Sequence, residues 1–441
     1  MNAVDQTLSD LLRRVPTCWV RKGIATELPG PSGAAQVQGA IDRWQRFAPV
    51  LAALFPDELP DGLIESPLLR IPRLSALHAP PTAPPDLARR LFVKADHALP
   101  LAGSIKARGG IYAVLCIAER VSLAARLSGV EDWRLLAGPA SRDLFGQHRI
   151  VVGSTGNLGF AVGLAARALG FQAEVHMSKD AKLWKKERLR RLGVTVVEHE
   201  SDYSSAVGAA RHSAAAVDTA HFIDDERSED LFFGYSAAAA RLAEQLFESA
   251  VTVSADTPLC IYLPCGVGGA PAGVLYGLRS LLGPHVWGFF AEPTASPCML
   301  MRLLGAPANA SIYDLGLDNR TAADGLAVAC ASDLAFQSIA HQVTAAYTVT
   351  DGEMFDWIRK AWSTEGLRLE PAAATSLAGA LDRAWMHPAC APLHTRMSAG
   401  THVIWTTGGA RLPEEEFADL LAELIQVDSD PGLGTPKKSR W

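Results

Sequence analysis

The chain has 441 residues, 49% of them hydrophobic and 20% charged, with a formal net charge of −6. Apolar content of that size supports two domains, or one large domain with an appended lobe, and excludes a disordered chain. The acidic balance and the lack of a sustained basic stripe speak against a nucleic-acid surface, and no apolar run is long enough to cross a membrane. The seven cysteines, Cys18, Cys116, Cys260, Cys265, Cys298, Cys330 and Cys390, contain no CxxC spacing and are odd in number. Reduced thiols in a cytoplasmic protein are therefore expected, not a zinc knuckle or a disulfide framework. The opening residues, MNAVDQTLSDLLRR, lack the basic-then-apolar order of a signal peptide, which agrees with that location.

Residues 5–14 and 37–55 have helical apolar spacing, and residues 29–33 and the prolines at 80–81 and 84–85 punctuate them. Residues 1–90 therefore read as a mainly helical extension. From Arg149 the pattern becomes regular: strand-like runs at 149–153, 172–177, 194–200 and 221–225 alternate with helix-like runs at 157–169, 181–192 and 203–217. Gly170 and Gly193 close the first two of those helices. A second series holds strands at 260–264, 286–292, 346–350 and 402–407, a helix reaching residue 282 and two helices over 351–385. Such alternation predicts an α/β protein of open, twisted, mostly parallel sheets flanked by helices. We expect a small domain at 149–234 and a large one assembled from 1–148 and 235–441.

Four turns stand out. LPLAGSIKARGG at 99–110 places Lys106 among small residues at a turn-to-helix junction, and STGNLG (from Ser154), PCGVGG (from Pro264) and TTGG (from Thr406) follow. Lys106 is either a solvated charge or an amine held for a ligand aldehyde. In doubly wound sheets, ligands sit beyond the carboxyl ends of strands, where glycines and helix N-termini let free N–H groups approach an anion. A Walker A loop needs GxxxxGK[ST], but Ala107 follows Lys106; STGNLG carries Asn157 where GxGxxG would need glycine. A dinucleotide or ATP enzyme is therefore disfavoured. A lysine for an aldehyde, an N–H cradle for one phosphate and an asparagine for a phenolic oxygen together point to pyridoxal phosphate. The basic run Lys185, Lys186, Arg188, Arg190 and Arg191 reads as a solvated helical face, and His97, His176, His199 and Cys265 lack catalytic or metal-site spacing.

SIKARGG, STGNLG, PCGVGG and the late TGG turn resemble the fold-type II pyridoxal-phosphate family of serine/threonine dehydratases, whose fold is like that of the tryptophan synthase β chain. SIKARGGIY, DDERSEDLFFGY, AEPTASPCM and TAADGLAV are most similar to its bacterial D-serine dehydratase branch, and the likeness covers residues 64–413. The resemblance implies that Lys106 holds the cofactor covalently, that Ile105 packs on its ring and that Asn157 bonds its phenolic oxygen. It implies a phosphate cradle from the N–H groups of Gly266, Val267, Gly268 and Gly269, and Thr407 beside the ring nitrogen. Ser154, Thr155 and Gly156 are the expected substrate contacts. A monovalent cation, usually potassium in such relatives, would sit near Glu292, Ser296 and Cys298. Ala270, Ala272 and Ala410 stand where the branch has glycine and put the loop geometry in question.

The implied reaction is β-elimination of D-serine to pyruvate and ammonia, with Lys106, Thr155 and Asp225 as catalytic candidates. A D-substrate bound with its carboxylate in the usual place would offer its α-proton to the face opposite Lys106, where Thr155 or Asp225 could act. Lys106 itself is the alternative base. Thr155 also suits the substrate carboxylate, and Asp225 also suits a helix cap. A dehydratase for L-serine, L-threonine or another β-substituted amino acid remains open, as do a non-catalytic sensor of the cofactor or of amino acids and a binder of another anion. So do monomer and homodimer.

Overall fold

A computed structural model describes residues 3–126, 132–154, 156–200 and 203–423. Its labelled elements are, in chain order, β1 (Cys18–Val20), α1 (Pro31–Leu54), β2 (Leu68–Arg70), β3 (Leu91–Ala95), α2 (Lys106–Ala124) and β4 (Arg149–Gly153). Then come α3 (Asn157–Leu169), β5 (Gln172–Ser178), α4 (Leu183–Arg191), β6 (Thr195–His199), β7 (Ala220–Ile223) and α5 (Glu229–Ser236). The rest are β8 (Leu259–Pro264), α6 (Gly269–Leu282), β9 (Val286–Pro293), α7 (Cys298–Leu303), β10 (Val343–Val349), α8 (Pro371–Ala378) and β11 (Thr401–Thr406).

The strands make two sheets. One has seven strands in the order β1-β10-β9-β8-β11-β3-β2, and the other has four in the order β6-β5-β4-β7. Every pairing is parallel except those of the edge strands β1 and β2. Parallel strands covered on both faces read as near-continuous apolar runs, and β8, β9 and β11 are buried at every position. One apolar cluster joins α1, α2, α3, α5 and α6 to one face of the large sheet. A second, including Tyr262, Tyr347, Trp357, Leu377 and Trp385, covers the other face.

The helix α3 ends as its sequence predicts, at Gly170 in the left-handed conformation (φ 106°). Differences concentrate where periodicity has too few residues to act. The N-terminal extension contributes the three-residue strands β1 and β2 to the large sheet, and a turn of π-helix at Gly379–Arg383 interrupts the second helix expected before residue 385.

Candidate active site

The order of the large sheet builds the site. β11 lies between β8 and β3, so the turns leaving all three strands emerge side by side. The Ile105 N–H donates to the Thr407 carbonyl at 2.9 Å, and Ser104 bridges Gly408, which fixes the lysine turn against the last glycine turn. The ends of β4 and β7 face them from the small sheet. Between the sheets lies a cleft lined by Ile105, Lys106, Ser154, Asn157, Asp225, Gly266 to Gly269, Glu370 and Thr407.

Lys106 Nζ donates to Asp225 Oδ2 at 2.8 Å, and its charge lies 5.7 Å above the Tyr235 ring. Burial works against this ammonium, but the carboxylate of Asp225 and the phenol of Tyr235 outweigh it and hold the pKa above the ordinary lysine value. Asp225 Oδ1 and the Tyr235 hydroxyl are buried without hydrogen-bond partners. Asp225 therefore meets Lys106 at the lysine's own nitrogen, not across the cleft from it. It caps no helix either: Ser228 caps α5 by accepting from the Leu231 N–H.

Gly266 to Gly269 form the turn into α6, whose first N–H groups lack partners within the helix, as in any α-helix. Gly268 has φ 102°, and a Cβ there would lie 2.4 Å from Met299 Cε. The Thr407 hydroxyl is buried and unpartnered. Asn157 Nδ2 donates to Glu370 Oε1 at 2.9 Å. Ser154 Oγ accepts from the N–H groups of Gly156 (3.0 Å) and Gly159 (2.8 Å), so it braces the start of α3 as well as lining the cleft. Gly156 has φ 151°, and a Cβ there would lie 2.6 Å from Lys185 Cδ. Thr155 lies outside the described residues.

Glu292, next to last in β9, is fully buried, its carboxylate accepting from the N–H groups of Met299 (2.8 Å) and Leu300 (2.7 Å) at the start of α7. Burial pushes its pKa up to about 8 in spite of those two bonds. The Ser296 hydroxyl contacts Asn319 and Val328, and Cys298 Sγ faces the Gly266 carbonyl at 3.4 Å. Among the described residues, no cluster of three or more His, Cys, Asp or Glu could hold a metal ion.

The solvated reading of the basic run fails at Lys185 and Lys186, which are buried. Lys185 pairs with Asp324 and Lys186 with Glu198, because α4 turns this face inward. His97 bonds Thr406 Oγ1 at 2.7 Å, and burial lowers its pKa to about 4; His176 and His199 bond each other at 2.9 Å. Sequence reasoning passed over Glu370 and Tyr235. Glu370 precedes Pro371 at the start of α8, a signal of a helix N-terminus, and Tyr235 ends the DDERSEDLFFGY segment.

This donor set fits pyridoxal phosphate: a lysine at the cleft, a glycine turn opening a helix for a phosphate, and an orphaned buried hydroxyl in Thr407. The family described as "Pyridoxal-phosphate dependent enzyme" matches residues 59–389. A "Probable D-serine dehydratase" of Rhizobium etli is 45% identical over 445 residues, covering 97% of this chain and 98% of that protein. One of Paracidovorax citrulli is 49% identical over 407 residues, covering 89% and 86%. The diaminopropionate ammonia lyase of Escherichia coli superposes with a TM-score of 0.70 at 18% identity, covering 92% of this chain and 96% of that one. A threonine deaminase of Solanum lycopersicum gives 0.62 at 18% identity, covering 92% and 100%. The fold is that of the fold-type II enzymes. The chain belongs to the pyridoxal-phosphate dependent enzyme family.

Proposed function

We propose that this chain removes the elements of water from D-serine and releases pyruvate and ammonia, using pyridoxal phosphate held on Lys106. The Lys106–Asp225 pair facing the glycine turn carries the reading, because it sets an amine and a proton acceptor at one point of a buried cleft. The substrate is assigned from the curated relatives, which are named for D-serine and align over nearly the whole chain. The cofactor, when bound, supplies an electron sink that makes the substrate's Cα–H acidic. Gly266 to Gly269 would hold its phosphate, Asn157 its phenolic oxygen and Thr407 its ring nitrogen, with Ile105 against the ring. Ser154, Thr155 and Gly156 would receive the substrate carboxylate.

Lys106 must give up a proton before its nitrogen can bond an aldehyde, and Asp225, at 2.8 Å, is placed to take it. Once that proton has passed to solvent Asp225 is again a carboxylate, and because it lies on the lysine's side it can accept the α-proton of a D-substrate bound with its Cα–H toward Lys106, the pose in which Lys106 is the alternative base. Asp225→Asn should still load cofactor while turnover falls by about 10²–10⁴-fold. Turnover within a few-fold of the parent would remove Asp225 from the reaction. Loss of the hydroxyl group, with water released and then consumed in hydrolysis of the enamine product, balances D-serine against pyruvate and ammonia.

Potassium is assigned beside Glu292, Ser296 and Cys298. The supporting observation is a fully buried carboxylate that no described lysine, arginine or histidine pairs with. A hard cation suits the oxygens there better than the Cys298 thiol. The cytoplasmic location is supported by seven cysteines that are all unbonded. Among the described residues, no helix is long and apolar enough to cross a membrane.

The deciding experiment measures pyruvate release from D-serine and L-serine in parallel, with cofactor-loaded protein in potassium buffer. Turnover of the D-isomer alone is expected. Preference for L-serine would reassign the substrate within the same family, and the absence of pyruvate from either isomer would leave a cofactor-binding sensor.

A further inference from the structure

Glu370 enters neither the fold's main polar networks nor the chemistry above, yet its carboxylate is buried and lines the cleft. We infer that Glu370 is a positioning residue that fixes the amide of Asn157, and that the last turn is shaped to admit it, Gly408 making room for its carboxylate and Gly409 for its backbone. The inference rests on the proposed reading of Asn157 as the partner of the cofactor's phenolic oxygen.

Three observations converge. Asn157 Nδ2 donates to Glu370 Oε1 at 2.9 Å, and this bond joins the start of α3 beside the small sheet to the start of α8 behind the large one. An asparagine amide carries two N–H donors. With one held by Glu370, the plane of the amide is set and the second N–H is left for the cleft that Asn157 lines.

The TTGG turn is shaped around this residue. A Cβ on Gly408 would lie 2.2 Å from Glu370 Oε1 and 2.5 Å from its Cδ, so no side chain fits there without displacing the acid. Gly409 has φ 138°, and its Cβ would lie 2.5 Å from the Glu370 nitrogen. The Glu370 N–H in turn donates to the Gly408 carbonyl at 3.0 Å. Thr407, which the reading assigns to the ring nitrogen, is thus followed by two residues that serve Asn157. One turn contributes to holding both sides of the ring.

A cation also lies near this buried carboxylate: Lys185, paired with Asp324, counters part of the burial that raises the Glu370 pKa. Lys185 already has an ion-pair partner in Asp324, and Asn157 is the side chain that bonds Glu370.

The test titrates cofactor-free full-length protein with pyridoxal phosphate, reading the dissociation constant by fluorescence and the absorption band of the lysine-bound cofactor. The variants are Glu370→Ala, Glu370→Gln, Asn157→Ala and the double alanine variant. Glu370→Ala should weaken cofactor binding by about tenfold and shift the band, since one hydrogen bond of orientation is lost. Glu370→Gln keeps an accepting oxygen and should bind within about twofold of the parent. In the Asn157→Ala background, Glu370→Ala should add less than about twofold, because the effect passes through Asn157.

Equal losses from Glu370→Ala in both backgrounds, or a glutamine variant as weak as the alanine one, overturn the inference while leaving Asn157 as a cofactor ligand. An Asn157→Ala protein with parental affinity and band overturns the reading of Asn157 itself, and the inference with it. Should Glu370→Ala not fold by circular dichroism, Gly408→Ala replaces it. That variant pushes the carboxylate aside and should show the same loss, again absent in the Asn157→Ala background.

Discussion

Thr407 shows at the scale of one residue how a site keeps an interaction in reserve. Its hydroxyl is buried and has no hydrogen-bond partner, an arrangement that costs about 1–3 kcal/mol unless a ligand completes it. Thr407→Val keeps the shape and removes the orphan. The cofactor-free variant should therefore melt at or above the parental temperature, while its affinity for pyridoxal phosphate falls about tenfold. Lower thermal stability together with full affinity would mean that the hydroxyl serves the fold and not the ligand. Single residues also mark where sequence reading stops. Lys106, Asn157 and Thr407 are legible because each sits in a short motif whose glycines announce a special backbone. Glu370 is one carboxylate before a proline, and it reaches Asn157 only because the two sheets face each other across the cleft. Lys185 looks solvated in sequence because a basic run says nothing about which side of α4 meets Asp324.

At the scale of elements, the site is a junction of helices brought together through missing side chains. α2 carries Lys106, α5 follows Asp225 and α6 opens with the Gly266–Gly269 turn. A Cβ on Gly109 would lie 2.4 Å from the Tyr235 ring, one on Gly234 2.8 Å from the Arg108 carbonyl, and one on Gly273 2.5 Å from the Phe232 carbonyl. On Gly277 it would lie 2.1 Å from the Ser236 carbonyl. Backbone carbonyls cannot rotate away as a flexible side chain can, so an added methyl must separate two helices. Gly273→Ala, outside the cleft lining, should cost about 1–3 kcal/mol in urea unfolding and should also weaken cofactor binding, because α6 moves with its N-terminal turn. Parental stability combined with parental affinity would show that the helices have room to spare. These contacts explain an asymmetry in what was readable. The strand–helix alternation of residues 149–223 follows from periodicity within each segment, whereas the glycines of α5 and α6 look like poor helix formers until the partner helix is seen. The three-residue edges β1 and β2 are too short for periodicity to reveal, and their place is set by pairing with β10 and β3.

Across the whole molecule, the N-terminal segment, β3, β11 and α2 are tied by one buried charge network. Arg108 donates to both Asp96 and Glu65, Trp405 Nε1 donates to Asp96 at 2.8 Å, and Ser66 Oγ donates to the same carboxylate at 2.6 Å. Lys94 is the member that titrates near neutrality. Its Nζ, fully shielded from solvent, donates to the Ser66 carbonyl at 2.7 Å and to Gln245 Oε1 at 2.9 Å. Burial, aided by the charge of Arg108, lowers its pKa from 10.5 to about 8, although Asp96 and Glu65 pull the other way. The sign of the consequence follows from proton counting. Below the folded pKa both states hold the proton, and the burial of charge is a standing cost. Between about 8 and about 10.5 the unfolded chain keeps the proton and the folded one releases it, so this group's contribution to stability rises with pH. The gain is on the order of 3 kcal/mol across that window. Urea unfolding of the parent and of Lys94→Met at a series of pH values from about 7 to about 10.5 isolates it. The difference between the two proteins should change in the parent's favour as pH rises through the window and stay constant below it. A difference independent of pH would mean that Lys94 keeps its proton in the folded state, balanced by Asp96 and Glu65, and that the network is an ion cluster throughout the alkaline range.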